Sequence, residues 1–287
     1  MPLLLCVGHV TWDKVDAKDV LGGSVSYAAL TAKKLGWDAA VLTSASADFD
    51  GARDLPGIAV RARPSKATTR FVNRYGGPAG ARQQFLLSRA DEVDVNDVPQ
   101  AWRKPDALLL GSVASEIPRH AAGAFEAGVV GALAQGWLRH FGADGAVTPQ
   151  PWPDPAGDLF GVHVLFLSEH DVGGDRAKAR ELLAHVPIVA LTRGWEGMEL
   201  ITRDAVHSVP TLPRTEVDPT GAGDVFAAAF VVRYRETDDP LEAAAFACCA
   251  ASCAVEGVGT TTLGDRAEVE KRLQQRERLI EDGDWED

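Results

Sequence analysis

Six short runs, at residues 3–7, 39–43, 107–110, 129–133, 162–167 and 188–192, are apolar at almost every position. A strand with one wet face alternates apolar and polar residues. A strand that is apolar throughout has both faces covered, as parallel strands packed between helices do. Helical patterns lie between and after these runs, at about residues 24–35, 175–185, 223–235, 241–255 and 266–280. The alternation predicts an α/β layered domain with a central, mainly parallel sheet flanked by helices. Ligands in that architecture bind beyond the carboxyl ends of the strands, so the loops that follow strands should carry the chemistry.

One stretch breaks the rhythm. Residues 68–75 and 83–88 are β-prone, and Gly76-Gly77-Pro78-Ala79-Gly80 between them is turn-forming, which reads as an antiparallel hairpin projecting from the main sheet, with an extension of the core sheet as the alternative. No internal repeat of 20–50 residues is present, and 287 residues with 46% apolar and 24% charged composition suit a single domain spanning 1–287.

The formal charge of −12 disfavours nucleic acid or an anionic membrane surface as partner, and five of the 41 acids sit in an acidic tail at 281–287. No apolar run approaches the ~18 residues of a membrane span, and the start lacks a basic leader, so a soluble, cytoplasmic protein is expected. Cys6 stands alone. Cys248, Cys249 and Cys253 share one apolar segment without the paired spacing of a zinc site, which favours core packing, and the seven histidines form no HExxH pattern.

The most informative segment is Asp218-Pro219-Thr220-Gly221-Ala222-Gly223-Asp224, followed by the apolar run Val225-Phe226-Ala227-Ala228-Ala229-Phe230. A proline and two glycines make a tight turn, and the run after them makes a helix, so the turn presents backbone N–H groups at a helix N-terminus. Such an end binds anions, a phosphate among them. Asp224, in the first helical turn, is badly placed merely to hold a phosphate but well placed to take a proton from a hydroxyl attacking one; the plain alternative is an acid that stabilises the helix dipole.

This segment resembles the D-T-x-G-A-G-D signature of the ribokinase-like (PfkB) carbohydrate kinases. About 200 residues earlier, Leu21-Gly22-Gly23-Ser24-Val25-Ser26-Tyr27-Ala28-Ala29 through Leu35-Gly36 is similar to the diglycine and helix with which that family approaches its sugar. The resemblance runs from Leu3 to about Leu263 and implies a three-layer ribokinase-like fold with a small β lid built from about 11–21 and 66–89. It implies that Asp224 is the general base, that Gly221, Ala222 and Gly223 form an anion hole for the γ-phosphate, and that Asp13, Gly22, Gly23 and Tyr27 meet the acceptor. Arg139, in Gln135-Gly136-Trp137-Leu138-Arg139, matches only the last residue of a D-x-N-x-R pattern and is placed near phosphate or substrate.

The resemblance further implies a nucleotide site along Thr192, Arg193, Gly194, Gly197, Thr220, Cys248 and Gly257. Mg²⁺ would be organised by Glu169 and Asp171, where Ser168-Glu169-His170-Asp171 stands for the family's N-x-x-E. A monovalent cation such as K⁺ would sit at backbone carbonyls of Val255–Gly259, and two copies would pair through the lid strands. The reading is an ATP-dependent kinase acting on a hydroxyl of a sugar or cyclic polyol, myo-inositol-like acceptors first, ribose or another sugar second. A nucleoside kinase and a non-catalytic sugar- or nucleotide-binding regulator are the alternatives. No GxGxxG follows the first strand and no GxxxxGK[ST] occurs, so neither a dinucleotide-binding dehydrogenase nor a P-loop enzyme has support.

Overall fold

The computed structural model describes residues 1–15, 18–75 and 82–281. In chain order its elements are β1 (Leu3–Val7), β2 (Thr11–Val15), β3 (Lys18–Gly22), α1 (Ser24–Lys34), β4 (Asp38–Ala45), the short α2 (Gly51–Asp54), β5 (Ala59–Pro64), β6 (Thr69–Tyr75), β7 (Arg82–Ser88), β8 (Ala107–Gly111), β9 (Val129–Leu133), β10 (Arg139–Phe141), β11 (Val147–Pro149), the short α3 (Pro155–Asp158), β12 (Val164–Ser168), α4 (Arg176–Glu181), β13 (Ile188–Thr192), β14 (Met198–Ile201), β15 (Val206–Val209), α5 (Ala222–Thr237), α6 (Pro240–Ala254) and α7 (Arg266–Glu281). The six apolar runs are all strands of one nine-stranded sheet, ordered β15-β14-β13-β12-β9-β8-β1-β4-β5. From β13 to β5 the strands run parallel, and β14 and β15 close one edge in antiparallel pairing.

Both faces of this sheet are covered, which is why its strands are apolar throughout. Leu4, Cys6, Val41, Leu109, Val164, Phe166 and Ala190 pack on the face that carries α1, α5, α6 and α7. Their chain neighbours Leu5, Val7, Leu42, Leu108, Leu110, Leu165 and Val189 pack on the opposite face with Ile117, Trp137 and Leu183. Phe166 lies edge-on to Phe226 and Phe230 at centroid distances of 6.0 and 5.3 Å, joining the sheet to α5. The clustered cysteines belong to this core as free thiols, and burial pushes Cys248 and Cys249 up to about 12, so both are neutral packing groups.

A second sheet, ordered β3-β2-β6-β7, combines the hairpin expected from the sequence with residues 11–22. The hairpin tip at 76–81, residues 16–17 and the tail residues 282–287 lie outside the described residues. Arg70 on β6 pairs with Asp19 of β3 at 2.6 Å within this sheet and ties the sheet to the loop after β4 by an ion pair of 2.6 Å to Asp48. A short hairpin, β10–β11, had no sequence signal, since its strands have three residues each and no apolar alternation. It packs on β7, where the Leu86 amide donates to Gly145 O at 2.8 Å and Phe141 and Val147 cover Phe71.

Candidate active site

Where β1 and β8 end, their loops touch. A Cβ on Gly8 would lie 2.3 Å from Gly111 O, so the chain leaves β1 against the start of the 111–116 loop and turns into β2, which carries Asp13. The diglycine lies beneath this crossing. A Cβ on Gly22 would be 2.2 Å from Asp13 Oδ2, and one on Gly23 would be 2.5 Å from His9 O. Gly23 also has φ +87°, a left-handed conformation that other residues adopt only at a cost. A side chain at either glycine would run into the Asp13 carboxylate or the His9 carbonyl, so the two glycines set where Asp13 stands. Thr11 Oγ1 donates to Asp13 Oδ1 at 3.0 Å.

Next to the diglycine, α1 brings Ser24 and Tyr27. Tyr27 is buried, with its ring against the glycine turn: Cε1 would be 2.3 Å from a Cβ on Gly221. Burial, followed by the charges of Asp224, Asp13 and Asp218, pushes its phenol well up, so it is a neutral hydroxyl wall.

The turn itself is held by Asp218, whose Oδ1 accepts from the Thr220 amide at 2.9 Å and whose Oδ2 accepts from the Gly259 amide at 3.4 Å. The Val217 and Asp218 amides donate to Val255 O at 2.8 and 3.2 Å, occupying one carbonyl of the loop named for a monovalent cation. Gly221, at φ +81°, caps α5. Of the three residues named for an anion hole, Ala222 directs its amide to Pro219 O at 3.2 Å. A Cβ on Gly223 would meet nothing within 4 Å, so open space lies in front of the first helical turn, whose amides have no partner inside the helix.

Asp224 is half-buried at this end of α5. Burial pushes its carboxyl up to about 6, with the Ser24 hydrogen bond and the Arg139 charge opposing and the Asp13 charge reinforcing the rise. Arg139, the first residue of β10, donates from Nη1 to Val113 O at 3.4 Å and holds its guanidinium 5.9 Å from the centre of the Phe71 ring. Asp13, Tyr27, Arg139 and Asp224 thus meet across one small polar site, although they come from four separate elements.

The residues named for the nucleotide divide differently. Thr192 ends β13, and Gly194 and Gly197 bracket the turn that follows it. Arg193, named for phosphate, pairs here with Glu196 of the same turn and with Glu199 of β14 at 2.8 Å. Cys248 is buried in α6, with Sγ 3.8 Å from Val209 O, and packs behind the loop. Gly257 faces Thr262. Beside the glycine turn lies a cavity of about 520 Å³, lined by Pro213, Arg214, Thr215, Val217 and Glu256. At the end of β12, Asp171 Oδ2 accepts from the amide and hydroxyl of Ser168 at 2.7 and 2.8 Å, which orients the carboxylate. Among the described residues no group of three or more His, Cys, Asp or Glu is placed to hold a metal. The pair Glu169 and Asp171 still suits Mg²⁺, a hard ion that takes few carboxylates and keeps its waters.

With this geometry in place, residues 161–266 match the pfkB family carbohydrate kinase domain. The matched segment is 106 of the chain's 287 residues. A nucleoside kinase of Methanothermobacter thermautotrophicus is 41% identical over 87 residues, 30% of this chain and 28% of that protein, so the alignment spans less than a third of the relative's length. Several solved structures match nearly the whole chain, among them two bound to ligands that bear on the site. A pyrophosphate-dependent kinase of the ribokinase family, complexed with a pyrophosphate analog and myo-inositol, superposes with a TM-score of 0.77 at 23% identity, covering 93% of this chain and 99% of that one. Ribokinase of Arabidopsis thaliana, complexed with ribose and ATP, superposes with a TM-score of 0.73 at 22% identity, covering 95% and 99%. At these identities the likeness establishes the ribokinase fold.

Two residues of this site had no signal in the sequence. Ser24 reads as the third residue of a glycine turn, and only the approach of α1 to α5 makes it a partner of Asp224. Glu116 follows β8 in the unremarkable string Ser112-Val113-Ala114-Ser115-Glu116, yet is fully buried.

Proposed function

We propose that the chain is an ATP-dependent kinase that phosphorylates a hydroxyl of a sugar or cyclic polyol, with a myo-inositol-like acceptor first and ribose or another sugar second. The observation that carries this is Asp224: a carboxylate raised to about 6 stands beside the open first turn of α5 and faces Asp13 and Arg139. In this reading Asp13 accepts hydrogen bonds from acceptor hydroxyls and Asp224 takes the proton of the attacking hydroxyl. The first-turn amides of α5 and the dipole of that helix stabilise the transferred phosphoryl group, and the lid formed by β2, β3, β6 and β7 keeps out water that would compete for it. Glu169 and Asp171 would hold Mg²⁺ through its waters, and the ion would offset charge on the phosphate oxygens.

The acceptor order is supported by the myo-inositol bound in the pyrophosphate-dependent relative and by Tyr27, which puts a phenol rather than a short amide beside the acceptor. The nucleoside kinase among the relatives supports a second reading, with a nucleoside as acceptor. One assay separates them: purified protein with ATP or pyrophosphate and a panel of inositols, pentoses, hexoses and nucleosides, following phosphorylated product. Turnover of a cyclic polyol or sugar that disappears in Asp224→Asn is the expected result. Product with nucleosides alone supports the second reading, and absence of product with every acceptor, or an active Asp224→Asn, refutes the mechanism.

A further inference from the structure

Glu116 has no part in the chemistry above and sits where a carboxylate needs a reason. It is fully buried, and both oxygens are occupied. Oε1 accepts from the His9 amide at 2.9 Å and the Val113 amide at 3.1 Å; Oε2 accepts from the Ala114 amide at 2.7 Å, the Val113 amide at 3.1 Å and the Ser112 hydroxyl at 3.1 Å. Burial works against the charge, but His9 and the converging backbone amides outweigh it, and the carboxyl lies below the usual glutamate range. The residue is therefore an internal anion held by the main chain of two loops more than 100 residues apart.

Both loops lead to the acceptor side of the site. The His9 segment runs over the diglycine into Thr11 and Asp13, and Val113 offers the carbonyl that receives Arg139. His9 extends the network to the second sheet. Its Nε2 lies 2.9 Å from Asp91 O, and a carbonyl only accepts, so this nitrogen carries the hydrogen. Nδ1 lies 2.8 Å from Thr69 Oγ1 at the root of β6, and that oxygen also accepts from the Ala90 amide at 3.0 Å. One carboxylate thus joins the end of β1, the end of β8 and the base of the small sheet.

We propose that Glu116 is a positioning residue for the acceptor: it clamps the 8–13 and 112–116 loops so that Asp13 and Arg139 face Asp224. The assignment rests on the kinase reading for its kinetic consequence, while the clamp itself is measurable without turnover. Glu116→Gln is the direct test. Each carboxylate oxygen faces at least two donors, so an amide NH₂ at either end opposes donors with a donor, while size and shape are kept.

With ATP and myo-inositol as probes, Glu116→Gln is expected to raise the KM for myo-inositol at least tenfold and leave the KM for ATP within twofold. In hydrogen exchange the amides of residues 9–13 and 113–114 should exchange at least tenfold faster, with β12 and β13 unaffected. Unchanged acceptor KM, or equal loss on both substrates, overturns the assignment, because a residue needed only for general stability would not divide the two. If Glu116→Gln does not fold, Ser112→Ala removes one donor without a buried mismatch and should raise the acceptor KM about threefold with ATP unaffected; no change there also overturns it. If the wild type phosphorylates none of the acceptors, the kinase reading fails on its own, and exchange decides the clamp: unchanged protection at residues 9–13 in Glu116→Gln refutes it.

Discussion

Removing the hydroxyl of Ser24 should impair the proposed phosphoryl transfer at low pH and spare it at high pH. The serine donates to Asp224, and its bond is one of two influences holding that carboxyl near 6 against burial and the Asp13 charge. A hydrogen bond to a charged group contributes about 1.5–3 kcal/mol, and about 1.4 kcal/mol corresponds to one pKa unit. Allowing water to replace part of the lost bond, Ser24→Ala should raise Asp224 by about one unit, to about 7. In the proposed mechanism Asp224 is a general base, which works when ionised, so activity is present above its pKa and lost below it. At pH 6 the wild type has about half of Asp224 ionised and the variant about a tenth, a fivefold deficit; at pH 8 both are nearly fully ionised and the rates converge. The assay is a profile of kcat/KM against pH from 5 to 9 with a saturating phosphate donor. An equal loss at every pH would mean that Ser24 acts by packing alone, and an acidic limb that stays near 6 or moves down would refute the electrostatic account of Asp224.

Asp13→Asn should move the same limb the other way, below pH 6, because it removes a negative neighbour of Asp224, while raising the acceptor KM; one pH profile reads both effects. The two glycines of the turn should separate stability from catalysis. Gly221→Ala forces a left-handed residue and sets a methyl 2.3 Å from the Tyr27 ring, so urea unfolding should show a loss of at least about 2 kcal/mol. Gly223→Ala meets no neighbour and should leave stability unchanged or higher by up to about 1 kcal/mol, yet turnover should fall at least tenfold as the methyl enters the space in front of α5. Phe166→Ala, which removes the ring between β12 and α5, should cost about 3–5 kcal/mol in thermal or urea unfolding without moving the pH profile.

The parallel sheet was legible because its physical cause is written along each strand. Residues 3–7 and 188–192 are apolar on both sides, and only a sheet covered on both faces explains that. The glycine turn and Asp224 were legible for a similar reason: close backbone approach and a free helix end need small residues at adjacent positions. Arg193 shows where such reading stops. Its place in the turn after β13 gave no sign that its guanidinium would pair with Glu196 of that turn and Glu199 of β14, because a carboxylate from a neighbouring strand comes within reach only in the folded chain. The hairpin β10–β11 left no pattern because three-residue strands are too short for a period to show.

By itself the sequence determined the layered α/β architecture, the hairpin strands of the small sheet, and the helix end at which Asp224 stands. These follow from local rules of periodicity, turn chemistry and backbone freedom, which act over a few residues. Tertiary structure alone decided the electrostatics of the site. Ser24 and Asp224 are 200 positions apart, Glu116 holds a backbone amide 107 residues away, and Asp13 and Arg139 reach the same place from different strands. Burial, charge separation and hydrogen bonding depend on distance in space, and only the folded chain brings those groups close enough to set one another's protonation and position.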